Sequence, residues 1–274
     1  MRPIVIPTDF TVVAQHAIES AIPIAKLSNT GIVLVHIVKK STDIPAATEK
    51  MDAEVEAAIQ KHGVPVQGTI REGTIFTTIG EVVSELDASL VIMGTHGIRG
   101  MQKLTGSWAL KVIVTSKVPF IVVQRAPRKT TIDRIVFPID YKRENREKIG
   151  WAYYVARMFN AKVFVIRTEP YKDKKLEHGV KANLVFTEKF LRSRNITYEI
   201  TSAKGNKAFS KEALQYATDI DADLILITTT KGISKIDFVL GTNEEDMLVN
   251  EANIPIMCVN PRKGIIGGFS ATGG

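Results

Sequence analysis

An internal duplication constrains this 274-residue chain more than any other feature. Arg2-Pro-Ile-Val-Ile-Pro-Thr-Asp9 lines up with Arg134-Ile-Val-Phe-Pro-Ile-Asp140, each an apolar run ending in Pro-x-Asp. The correspondence continues: Ile32 to Val38 matches Val163 to Thr168, and Leu90 to Met93 matches Leu224 to Ile227. Gly106-Ser107 then matches Gly241-Thr242, and Val118 to Val123 matches Ile254 to Val259. The separation drifts only from 131 residues at the aspartates to 136 at the last runs, so the chain holds two copies of one domain and is no short-period solenoid. Residues 1–126 form the first domain and 130–262 the second, joined at the Pro- and charge-rich Arg125 to Thr130, with 263–274 as a flexible tail.

Each copy alternates short β-branched runs with stretches of 3.6-residue periodicity. In the first, strands are expected near 3–9, 31–38, 65–71, 90–94 and 119–124, with helices near 12–28, 48–62, 75–88 and 107–116. The strands are apolar throughout rather than alternating, as befits a sheet covered by helices on both faces. The fold class is therefore α/β: two tandem doubly wound parallel five-stranded sheets of Rossmann-like build. Ligands of such sheets sit beyond the carboxyl ends of the strands, where the strand order reverses. Asp9, Ile37 and the loop that begins at Gly94 all fall there.

That loop reads Met93-Gly-Thr-His-Gly-Ile-Arg-Gly-Met-Gln-Lys-Leu-Thr-Gly106-Ser107. Glycines let backbone N–H groups close on an anion, and a helix starting at Ser107 would add its unpaired donors and the positive end of its dipole. Ser107 and Thr242 are equally good helix N-caps with no ligand present, worth about 1 kcal/mol each. Asp9 either takes a hydrogen bond from an adenine amino group or ribose hydroxyl, or caps the helix that begins near Thr11. Asp140 leans toward the structural role. His96 fits best as a residue that fixes loop shape, His36 as a satisfied interior histidine, and Cys258 as a small buried hydrophobe.

The terminal Asp of the first strand, the Met-Gly-Thr-His-Gly loop, the Gly-Ser helix start and the Val-Pro-Phe-Ile-Val-Val last strand together resemble the universal stress protein family, in both halves of the chain. The resemblance implies the adenine nucleotide α-hydrolase-like variant of the fold and a site for ATP or AMP, with or without Mg. It would place Asp9 and Ile37 on the adenine, Gly94, Gly97 and Gly106 on the three motif glycines, Thr95 and His96 within the loop, and Ser107 on the phosphates. Asp140, Gly241 and Thr242 are the weaker equivalents in the second domain. The family motif is Gly-x2-Gly-x9-Gly-Ser/Thr. Between Gly97 and Gly106 this chain has 8 residues, one fewer, which shortens the reach by up to about 3.5 Å. In the second copy the spacing is kept, but Thr228 and Lys231 replace the first two glycines and Arg167 replaces the apolar residue after strand two. The first domain is thus the better nucleotide site.

The function so implied is that of a cytosolic stress-response protein, a nucleotide-dependent regulator or interaction module. A nucleotide-free scaffold and a slow nucleotide hydrolase are the alternatives. Fast catalysis is not expected, because the chain has no Gly-x4-Gly-Lys-Ser/Thr loop, no Gly-x-Ser-x-Gly elbow and no His-Glu-x2-His pair. One cysteine and no apolar run near 18 residues argue against a disulfide framework and a membrane span. Of the net charge of +7, the part after Ala126 holds 24 basic against 18 acidic residues, but the two signs alternate there as on a solvated surface, which argues against nucleic acid. Pairing of the final strands, 118–124 with 254–260, would join the two domains within one chain, with a homodimer of tandem chains as the other arrangement.

Overall fold

The computed structural model describes residues 2–95, 112–113, 116–229 and 250–260. The chain divides into two compact units, Met1–Thr130 with Leu248–Pro255, and Thr131–Met247 with Ile256–Gly274. The proposed tail at 263–274 lies outside the described residues.

In the first unit the order is β1 (Ile4–Pro7), α1 (Val12–Ser28), β2 (Ile32–Val38), α2 (Ile44–His62), β3 (Val66–Glu72), α3 (Ile75–Glu85), β4 (Leu90–Gly94) and β5 (Phe120–Val123). The strands lie in the order β3-β2-β1-β4-β5, all parallel. Ile4 therefore pairs with Ile32 on one side and Leu90 on the other, and the reversal of strand order falls between β1 and β4. The second unit repeats this with β6 (Arg134–Ile139), α4 (Asn145–Phe159), β7 (Lys162–Arg167), α5 (Lys174–Arg192), β8 (Tyr198–Ser202), α6 (Phe209–Asp219), β9 (Leu224–Thr228) and β10 (Ile256–Val259). There the order is β8-β7-β6-β9-β10, with Ile135 between Val163 and Leu224.

The central strands are buried end to end, as apolar strands with helices on both faces must be: Val5, Ile6, Val91, Ile92, Ile135, Val136, Ile225 and Leu226 are at most 1% exposed. Cys258 in β10 belongs to this core, and burial pushes its thiol pKa well above the ordinary range, so it is held as the neutral thiol. The outer strands β3 and β8 are half exposed.

The duplication reaches the backbone at single residues. Asn29 and Asn160 end α1 and α4 in the left-handed conformation (φ 49° and 55°), a role that suits asparagine. Asp87 and Asp221 adopt the same conformation just after α3 and α6. Helix α2 starts at Ile44, four residues before its expected start, because Pro45 sits in its first turn, where no backbone donor is required. Of the helix expected at 107–116, only Val112 and Ile113 among its described residues are seen in helix, and both are buried.

Candidate functional site

The carboxyl ends of β1, β2 and β4 bring Asp9, Ile37, Gly94 and Thr95 to the switch point of the first sheet. Asp9 is exposed and Ile37 half-buried. The N-cap of α1 is Thr11, whose hydroxyl accepts from the Ala14 N–H, so Asp9 is not the cap itself. It acts one step earlier: its Oδ1 accepts from the Thr11 N–H at 3.1 Å and from the Thr11 hydroxyl at 2.5 Å. Phe10 between them has φ 63°, a costly conformation for a residue with a Cβ. The turn that presents Asp9 is thus held in one unusual shape.

Thr8 supplies the hold from below. Its hydroxyl accepts from the Phe10 N–H at 3.1 Å and donates to Glu54 of α2 at 2.8 Å. Its carbonyl accepts from His36 Nδ1–H at 2.8 Å, and the His36 ring lies 4.4 Å from that of Phe10. His36 is the satisfied histidine expected, and it braces the site. Glu54 escaped notice in the sequence, although a signal existed: it lies on the helix face of Ala47, Met51 and Ala58, where a carboxylate breaks the apolar stripe. Burial raises its pKa, the Thr8 hydroxyl opposes the rise, and nearby Asp9 adds to it.

Gly94 has a packing reason for being glycine, beside the loop role expected of it. A Cβ there would come within 2.3 Å of the Val13 carbonyl oxygen, so the residue lets the first turn of α1 lie directly against the end of β4. Thr95 follows, fully buried, and its hydroxyl has no hydrogen-bond partner among the described residues. Thr168 and Thr228 of the second unit carry buried hydroxyls of the same kind. His96, Gly97, Gly106 and Ser107, and with them the shortened loop, lie outside the described residues.

The second unit closes the equivalent place with its own side chains. Asp140 is 3% exposed, and its carboxylate accepts from the Lys142 N–H at 2.8 Å and from Asn145 Nδ2 at 2.5 Å. Asn183 of α5 donates to the carbonyls of Asp140 and Lys142, both at 2.9 Å. Lys148, fully buried, donates to the Pro138 carbonyl and lies 4.6 Å from the centre of the Phe137 ring. Asp140, named as a weaker ligand residue, is therefore engaged in a buried network. Burial raises its pKa against the pull of these donors. Arg167 is also engaged: its guanidinium forms a paired bond to Glu177 of α5, at 3.2 and 2.8 Å, and Nε donates to the Thr168 carbonyl.

Thr228 fills the position of Gly94, and the space for its side chain comes from the helix. Measured from the aspartate, α4 begins five residues on and α1 only three. Gly241, Thr242 and Lys231 lie outside the described residues. Asn183→Leu removes two donors from buried carbonyls and an acceptor from Arg146 Nε. Both carbonyls keep a bond from Asn145, so the loss expected in denaturant titrations is about 1 to 3 kcal/mol, that of the second bonds and of the Arg146 acceptor.

In doubly wound α/β sheets small ligands bind beyond the carboxyl ends of the strands where the strand order reverses, and Asp9 stands at that edge. The universal stress protein family model matches residues 1–124. A universal stress protein of Methanocaldococcus jannaschii is 31% identical over 144 residues, covering 47% of this chain and 84% of that protein. The chain belongs to the universal stress protein family. The crystal structure of a universal stress protein from Archaeoglobus fulgidus covers 94% of this chain and 98% of its own, at 17% identity and a TM-score of 0.71, and shares the fold. A universal stress protein from the same organism, solved in complex with dAMP, is 25% identical and covers 45% of this chain and 98% of its own, with a TM-score of 0.39. Among the described residues, no helix is long and apolar enough to cross a membrane and no cluster of side chains could hold a metal ion.

Proposed function

We propose that the first unit binds an adenine nucleotide, ATP or AMP, at the carboxyl ends of β1, β2 and β4, and that occupancy alters the contacts the protein makes with others. The observation that carries this reading is the contrast between the two copies. One duplicated aspartate stands exposed on a strained, braced turn, and the other is buried with two hydrogen bonds on one carboxylate oxygen. Backbone strain of this kind persists only where the surroundings enforce it, and it favours functional positions.

In this reading Asp9 accepts from the adenine amino group or a ribose hydroxyl, Ile37 covers the base, and Gly94 and Thr95 lead into the loop whose His96, Gly97, Gly106 and Ser107 face the phosphates. Mg would accompany a triphosphate there. Asp9→Ala is expected to weaken AMP and ATP binding at least tenfold in calorimetric titrations, the loss of about 1.4 kcal/mol or more that a hydrogen bond to a charged group supplies. Asp140→Asn should leave it unchanged. Purified protein should release an adenine nucleotide on denaturation. Empty supernatants together with flat titrations would favour the nucleotide-free scaffold.

A further inference from the structure

We infer that Glu54 of α2 is a positioning residue for the site in the first unit, fixing through Thr8 the turn that presents Asp9 and so tying α2 to the occupancy of that site. The inference rests on the nucleotide reading above and adds to it a residue and a route of regulation. Glu54 Oε2 takes the Thr8 hydroxyl proton at 2.8 Å, which orients the Thr8 oxygen to receive the Phe10 N–H at 3.1 Å. Phe10 can hold φ 63° because that bond and the stack on His36 both secure it. Asp9 and Thr11 then close the turn on its outer side. A single hydroxyl thus connects the middle of α2 to the only carboxylate placed at the switch point among the described residues of this unit.

The electrostatics make the contact more than a brace. Two carboxylates, Glu54 and Asp9, face one another across Thr8, with His36 of β2 as the opposing group; among the described residues these are the groups that act on Glu54. A partly buried like-charge pair is unfavourable and would be relieved by a neutral residue. The phosphates of a nucleotide whose base or ribose is seated on Asp9 add to the same negative field at longer range, so their binding and a proton on Glu54 favour one another. Affinity for an anionic nucleotide should therefore rise as pH falls, while affinity for the neutral nucleoside should respond far less.

The test is calorimetric titration of AMP and adenosine into the full chain at pH 7.5 and 5.5, for wild type, Glu54→Gln and Glu54→Leu. Glutamine keeps an oxygen for the Thr8 hydroxyl and removes the charge. It should tighten AMP binding at pH 7.5 by about three- to tenfold and leave adenosine within about twofold, as expected for one unit charge on the order of 10 Å from a phosphate in a partly screened site. The ratio of AMP affinities at pH 5.5 and 7.5 should be about threefold higher for wild type than for Glu54→Gln, which shares the change in charge of the AMP phosphate. Leucine, which cannot hold Thr8, should weaken both ligands about tenfold. If Glu54→Gln matches wild type for AMP at both pH values, Glu54 is merely structural and the inference is overturned, whatever leucine does. If wild type binds neither AMP nor adenosine, the nucleotide reading itself falls and takes this inference with it.

Discussion

Between pH 7 and pH 9 the second unit is expected to become steadily harder to unfold, with Lys148 as the cause; above pH 9 the buried Cys258 thiol, protonated in the native unit and ionised in the unfolded chain, opposes the rise. Burial lowers the pKa of this lysine from 10.5 to about 7, against the opposing pull of Asp140. In that window the unfolded chain still binds the proton and the native unit has released it, so stability rises with pH. The contribution is complete above the unfolded value of 10.5 and is lost as pH falls through about 7. At about 1.4 kcal/mol for each pH unit, the whole span is worth on the order of 5 kcal/mol. Asp140 acts in the opposite sense and elsewhere: its pKa is raised from 3.8, so its share is present in acid and declines as pH rises through the folded value.

The measurement is denaturant unfolding from pH 7 to 9, with Trp151 as the fluorescent reporter in a Trp108→Phe background. Trp151 lies on α4, three residues from Lys148, and so reports the helix in question. Lys148→Met should abolish the slope over this range. A slope that persists in the variant would show that some other group sets the pH dependence.

The second large effect is expected from the smallest change. Gly94→Ala places a methyl group 2.3 Å from the Val13 carbonyl oxygen and 2.8 Å from its carbon, and both are backbone atoms that cannot swing aside. Either β4 or the first turn of α1 must move, at a cost of about 2 to 3 kcal/mol or more to the first unit. The displaced turn carries Thr11, and through it Asp9, so ligand binding should fall with stability. Thermal or denaturant unfolding checks the first outcome and calorimetry the second. An alanine variant of wild-type stability would mean that Gly94 has no packing role. Unchanged stability with lost binding would return this glycine to the loop chemistry expected of it.

These two predictions mark the line between what could be read in the residues and what could not. The strands of the first unit fall within a few residues of their expected places, because a fully apolar run bounded by turn residues has no other stable use in a sheet covered on both sides. The switch-point position of Asp9 and Ile37 followed from strand order alone. Glu54 remained hidden: its departure from the apolar stripe of α2 was visible, but its partner Thr8 is 46 residues away and only folding brings the two together. Arg167 likewise could be seen as a substitution, whereas the Glu177 that captures it belongs to the next helix.

From its residues alone, this protein is settled as a duplicated, parallel, doubly wound α/β chain, because period and apolar runs are local properties. Tertiary structure decided that two similar aspartates lead different lives. Asp9 stays on an exposed turn because α1 begins close behind it and Thr8 is held by α2, while Asp140 is drawn into the interior by Asn145, with Lys148 buried close by, since the later start of α4 leaves room for them. Burial and charge at a single site depend on neighbours distant in the chain, and those are known only once the chain has folded.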